Sequence, residues 1–208
     1  MSQEVPTWLQ LAREIQSLSQ TGLHFSETDY DRHRYGRLLE IAAEMVALKS
    51  FVEAEAAARN FRLQSGYATP KVDVRGAVVR EGRILLVRER SDGLWCLPGG
   101  WADVGETPSE MVVREVREES GCDVIPLRVV GVYDANRGGE PLEFYHAYKI
   151  VFLCELTGGE ATAGEETLAA EFFARDSVPP LSLQRTGPRH LNDVWACFDD
   201  PFRVTLFD

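Results

Sequence analysis

Hydrophobic positions change their spacing twice along this chain. From Thr7 to Gln20, Trp8, Leu11, Ile15 and Leu18 recur every three or four residues, which predicts a helix closed by Gly22. After the loop HFSETDYDRHRYG, a second helical pattern runs from about Asp31 to Arg59 and offers Leu38, Ala42, Met45, Val46 and Val52, with Asp29 as its cap. At the standard rise that helix would be roughly 40 Å long. It is too long for the short first helix to cover, so its apolar side is expected against the following domain or a second subunit.

QSGYATP, residues 64–70, has the glycine, proline and small-residue content of a linker, and beyond it the spacing becomes strand-like. VDVRGAVVR and ILLVRE read as strands joined at Glu81–Gly82, with further strands near Leu127–Tyr133, Phe144–Leu156 and Leu168–Phe173. Thr107–Ser120 reads as a helix capped by Thr107, opened by Pro108 and stopped by Gly121, and Pro188 favours a last helix near RHLNDVWACF. The expected division is a helical domain over 1–66 and a mixed α/β domain over 67–208.

The 208 residues carry a formal charge of −11, which disfavours a nonspecific binder of nucleic acid and obliges any anionic substrate to find local cations. Cys96, Cys122, Cys154 and Cys197 are scattered, as buried thiols of a reduced protein would be. The first residues lack a secretory pattern and no apolar run is long enough to span a membrane, so a soluble cytoplasmic protein is expected.

The most informative stretch is LPGGWADVGETPSEMVVREVREESGCDV, residues 97–124. On an ideal helix Glu115, Glu118 and Glu119 fall within an arc of about 100°. Val112, Val113 and Val116 form a neighbouring apolar face that anchors the helix, and Arg114 can pair with Glu118. Anchored carboxylates repel one another, a tension that a solvated stripe can tolerate or a divalent cation can relieve. Their hard oxygens suit Mg²⁺ or Mn²⁺, and no compact His/Cys set suggests zinc. Gly99, Gly100 and Gly105 permit close backbone approach before the helix, but no Gly-Lys-Ser/Thr ending makes this a P-loop.

Gly100, Glu106, Arg114, Glu115, Val116, Glu118, Glu119 and Gly121 together resemble the signature of the Nudix hydrolases. Cys122 stands where a bulky aliphatic residue is usual, a slight departure that a small apolar thiol can satisfy. The resemblance covers about Val72 to Phe198. It implies an α/β/α sandwich on a mixed sheet and metal-dependent hydrolysis of a nucleoside diphosphate linked to a group X. QTGLHFSETDYDRHRYGRLLEIAAEM, residues 20–45, is similar to the helical N-terminal region of a subgroup that includes CDP-choline and ADP-ribose hydrolases, and it implies a homodimer.

The same resemblance implies Glu115, Glu118 and Glu119 as metal ligands, with Gly100 offering a backbone group. Arg114 is expected to orient a carboxylate, and Glu106 to brace the loop or contribute to the metal site. The general base stays open between Glu166, Glu165 and Glu119, with Glu166 also a ligand candidate. Candidates for substrate are Arg137 in its glycine-rich loop, Arg75, Arg88 and Arg90 on the early strands, and Tyr133, Phe144, Tyr145 and Tyr148, which serve equally as sheet residues. His24, His33, His146 and His190 are dispersed and form no nucleophile–base pair. The expected activity is release of a nucleoside monophosphate and phospho-X. A triphosphate or capped-RNA pyrophosphohydrolase and a non-catalytic nucleotide sensor remain as alternatives.

Overall fold

The computed structural model describes residues 6–48, 53–135, 137 and 146–208. The chain divides into two compact units, with the boundary between Pro70 and Lys71.

The first unit holds α1 (Thr7–Phe25), α2 (Asp29–Ala47) and α3 (Ala54–Arg62). Gly22 does not close α1, which continues one turn further. A β-carbon at Gly22 would collide with the ring of Tyr35 from α2, so the glycine marks a close helix crossing. The cap of α2 is Thr28, one residue before the expected Asp29, and its hydroxyl accepts the Asp31 N–H at 3.1 Å. The single long second helix is also corrected, because α2 stops and α3 begins anew at Ala54. The break lets Ala57, Ala58 and Phe61 fold onto Leu39, Ala42, Ala43 and Val46, which buries within the unit much of the surface a straight helix would have left open. Val52 lies outside the described residues.

The second unit is an α/β/α sandwich. Its strands are β1 (Lys71–Arg80), β2 (Arg83–Glu89), β3 (Trp95–Cys96), β4 (Gly99–Trp101), β5 (Cys122–Asp134), β6 (Ala147–Gly159), β7 (Thr167–Ala174) and β8 (Leu206–Phe207). The mixed sheet runs β3-β2-β1-β6-β5-β8, with β7 beside β2 and β4 beside β1. The β1–β6 and β5–β8 pairs are parallel. Strand alternation sends Val74, Val78, Leu85 and Val87 to the face covered by Met111, Val112 and Val116 of α4 (Pro108–Ser120). Ala77, Ile84 and Leu86 go to the opposite face, beneath Leu191, Val194 and Trp195 of α5 (Pro188–Asp199).

The short strands β3, β4 and β8 were not expected from periodicity, since two or three residues hold no period. The strand sought at Phe144–Leu156 starts at Ala147 in the described part and runs on to Gly159; Phe144 and Tyr145 lie outside it. Among the described residues no helix is long and apolar enough to cross a membrane.

Candidate active site

The sheet forks at β1. Its first half pairs with β4, aligning Arg75 with Gly99 and Val74 with Gly100, while its far end pairs with β2. Helix α4 lies over this fork. Thr107 and Glu110 close a capping box at its N-terminus, Pro108 occupies the first turn, and Gly121 ends it in the left-handed conformation at φ 69°. Val112 and Val116 press onto β1 at Gly76, where a β-carbon would strike Val116.

That seating brings the acidic face to the glycines. Glu119 is buried, and its Oε2 accepts the Gly99 N–H at 2.8 Å. Gly99 has φ 143°, and a β-carbon there would overlap the Val74 carbonyl, so only glycine lets β4 come this close. A β-carbon at Gly100 would lie 3.2 Å from both Glu115 carboxylate oxygens, so the absent side chain forms the cradle that receives them.

Arg114 organises the outer side. Its Nε and Nη2 bind Glu106 at 2.8 and 2.9 Å, a bidentate pair, while Nη1 reaches Glu118 at 2.9 Å and Glu115 at 3.1 Å. Asp103 adds a contact at 3.4 Å. These partners raise the arginine's proton affinity, and Arg114 holds Glu106 below the usual carboxylate range. Burial pushes Glu115 up, partly offset by Arg114 and Arg75. Burial likewise lifts Glu119, to about 7; Arg75 and the Gly99 N–H pull it down, while the like charges of Glu89 and Glu115 add to the rise.

These donors fit a hard divalent cation: clustered carboxylates, two of which, Glu115 and Glu119, are raised in proton affinity by burial, stand against a backbone turn stripped of side chains. As the side chains stand, no three acidic, His or Cys groups among the described residues converge to hold an ion. The geometry gives the reason. The Arg114 Nη1 lies between Glu115 and Glu118, and Glu119 is turned onto Gly99.

The other sequence candidates are dispersed. Glu165 and Glu166 are exposed in the segment before β7, which sits against the last turn of α4 through the Thr167 hydroxyl bound to the Glu119 carbonyl at 2.8 Å. Arg90 fastens that segment by the Glu165 and Thr167 carbonyls, both at 3.2 Å. Arg88 bonds the Gly93 carbonyl at 2.8 Å and so closes its own hairpin. Arg137 is exposed and pairs with Asp134 at 3.6 Å. Tyr133 has no exposed surface: its ring packs edge-on to His190, and its hydroxyl meets Asp193 at 3.2 Å, on the α5 side of the sheet. Burial there drives His190 down to about 3, leaving a neutral imidazole whose Nδ1 accepts the Gly187 N–H.

Sequence reasoning named Arg75 only as a substrate candidate, whereas it is buried beneath the fork, and it missed the buried charges Asp73 and Lys149 beside it. Arg75 binds Asp73 at 2.9 Å, and Lys149, aligned with Asp73 across β1 and β6, meets its other oxygen at 3.5 Å. Arg75 also bonds the Leu97 carbonyl at 3.2 Å, while the Leu97 N–H donates to the buried Thr186 hydroxyl at 2.9 Å. Both polar groups of the residue just before Pro98 and Gly99 are thus held. Charged residues at positions 73, 75 and 149, set within aliphatic strands, were the available signal.

Comparison with known proteins points to one family. Residues 6–61 match the model of a UDP-X-like N-terminal oligomerisation domain, and residues 69–193 match the Nudix domain. The putative ADP-ribose pyrophosphatase YjhB of Bacillus subtilis is 44% identical over 201 residues, spanning 97% of each chain. The crystal structure of an ADP-ribose pyrophosphatase from Streptococcus suis is 41% identical at a TM-score of 0.61, covering 67% of this chain and all of the other. That of a UDP-X diphosphatase is 31% identical at a TM-score of 0.63, covering 97% and 98%.

Proposed function

The chain belongs to the Nudix hydrolase family, and from that premise we propose that it hydrolyses the diphosphate of an ADP-ribose-type substrate, releasing a nucleoside monophosphate and a phosphorylated X group. The observation that supports this most is the seating of Glu115 and Glu119 against Gly99–Gly100, in a chain similar over nearly its full length to a putative ADP-ribose pyrophosphatase. The similarity to a UDP-X diphosphatase spans both units, so uridine diphosphates linked to a sugar or other group form the second reading, alongside CDP-choline.

Glu115, Glu118 and Glu119, with a backbone group of Gly100, are the residues that would hold Mg²⁺ or Mn²⁺. Such an ion, when bound, neutralises diphosphate oxygens and acidifies water. Arg114 holds Glu118 and Glu115 in register with the loop through its pairing with Glu106. Glu119, with a proton affinity raised by burial, and Glu166, exposed beside the last turn of α4, are the two candidates to take the proton of the attacking water. Arg137, beside the end of β5, is the phosphate-clamp candidate. Arg88 and Tyr133 are engaged by their own hairpin and by the α5 core, which favours structural roles for both.

We further propose that the 1–66 region serves dimerisation of the 67–208 catalytic domain, as the family model of its N-terminal part suggests. Four free, buried cysteines support a reducing compartment, the cytoplasm.

The deciding experiment is a substrate panel of ADP-ribose, UDP-sugars, CDP-choline and nucleoside triphosphates with and without Mg²⁺ or Mn²⁺. Metal-dependent monophosphate release from ADP-ribose is expected, with Glu118→Gln and Glu119→Gln each losing about 10²-fold or more in kcat. Turnover unchanged in both variants would remove this assignment of the site.

A further inference from the structure

Helix α1 presents two faces, and among the described residues only one of them packs within its unit. The face that packs inward holds Leu9, Ala12, Gln16, Ser19 and Gln20, and its polar members are satisfied internally. Gln16 donates to Gln20 at 2.7 Å, and Gln20 donates to the Gly66 carbonyl at 3.1 Å. Leu11 and Leu18, which the helical spacing groups with Trp8 and Ile15, and Phe25 beyond them remain 47%, 61% and 66% exposed. They are spaced by seven residues, so they line up along one stripe, roughly 150° around the helix from the buried set.

We propose that this stripe is the seam of a two-fold dimer, in which α1 of a second copy of this chain lies antiparallel across it. This rests on the oligomerisation reading of the N-terminal region. Two observations select a second copy as the occupant. The matching family model describes residues 6–61 as an oligomerisation domain, without saying which face is used. In addition, the only charge-bearing side chains along α1 are Arg13, Glu14 and His24, so this helix is almost neutral on a chain of net charge −11. Two such chains approach there without the repulsion they meet elsewhere.

Symmetry then sets the register. An antiparallel pairing centred on Leu18 places Leu18 against itself on the two-fold axis and Leu11 against the partner's Phe25, each seven residues from the centre. It also opposes the helix dipoles and separates the two Glu14 carboxylates by about 12 Å along the axis, where a parallel pairing would put them side by side.

The test is the solution mass of the full chain by light scattering and sedimentation, for wild type, Leu18→Asp and Leu11→Asp, with oxidative cross-linking of Leu18→Cys. The wild type is expected as a dimer. Leu18→Asp should raise the dimer dissociation constant about 100-fold or more, because two carboxylates meet at the axis. Its melting temperature, extrapolated to a concentration at which both proteins are monomeric, should be unchanged, because the side chain is exposed within its own unit. Leu18→Cys should link to itself, and Leu11→Cys should link to Phe25→Cys in a mixture but not to itself; the native cysteines are buried and do not interfere. A Leu18→Asp protein as firmly dimeric as wild type, or a dimeric Leu18→Cys protein that never cross-links, overturns the seam and leaves dimerisation itself standing. A wild-type monomer overturns both.

Discussion

At the scale of single residues, Glu119 carries the most consequential environment. Burial, Glu89 and Glu115 raise its proton affinity more than Arg75 and Gly99 lower it, so the native carboxyl binds its proton up to about pH 7. The sign is opposite to that of a salt-bridged surface carboxylate. Between its unfolded value near 4.5 and about 7 the native state holds more protons than the unfolded state, so this group makes stability fall as pH rises through that window. In metal-free protein, Glu119→Gln should therefore gain roughly 1–3 kcal/mol over wild type above pH 7 and match it below pH 4.5, a comparison read from urea denaturation at several pH values. On the proposed assignment the same variant also loses about 10²-fold or more in kcat, so one group would limit stability and serve the chemistry. Glu115, Glu118 and Glu119 were legible in the sequence because helical geometry alone places them together. Their unequal surroundings were not: Glu118 stands in solvent, whereas Glu119 is buried on Gly99, a difference made by β4 arriving from outside the helix.

At the scale of elements, α4 follows its sequence signals closely. Thr107, Pro108 and Gly121 act as cap, first-turn residue and left-handed stop. Thr107→Ala removes the hydroxyl that anchors the capping box and should cost about 1 kcal/mol, visible as a lower urea midpoint with an unchanged slope and only a modest loss of activity. Local signals succeed here because capping involves neighbours within four residues. They failed at α1 and α2 for the complementary reason. Gly22 looks like a stop, yet it is held inside α1 because the ring of Tyr35 needs its missing side chain. The unbroken apolar pattern of residues 31–59 looks like one helix, yet it is cut so that Phe61 can return onto Leu39 and Ala42. On α1 the helical spacing groups residues with different surroundings: Ile15 packs against the core of its unit, whereas Leu11 and Leu18 stay exposed, since spacing says that residues share a helix and not what covers each of them.

At the scale of the molecule, the catalytic unit depends on a charged junction that the sequence marks only by single charges set within aliphatic strands. Asp73 joins Arg75 and Lys149, and Lys149 also binds the Gln184 and Arg185 carbonyls, so one carboxylate links β1, β6 and the segment leading into α5. Asp73→Leu would leave two buried cations without their partner. A loss of about 3–5 kcal/mol is expected from chemical denaturation, larger than for an exposed ion pair such as Arg37–Glu40, which water and salt screen. The sequence by itself determined the two-part organisation of helices before strands, the acidic helix with its caps, and the family, because these rest on periods, turn residues and fixed spacings within a few tens of residues. Only the tertiary structure decided which charges lie buried together, that β4 reaches Glu119, that Tyr133 belongs to the α5 core, and that the apolar stripe of α1 faces outward. Those outcomes depend on contacts between residues far apart in the chain, and burial there sets both the strength of each charge and the use of each face.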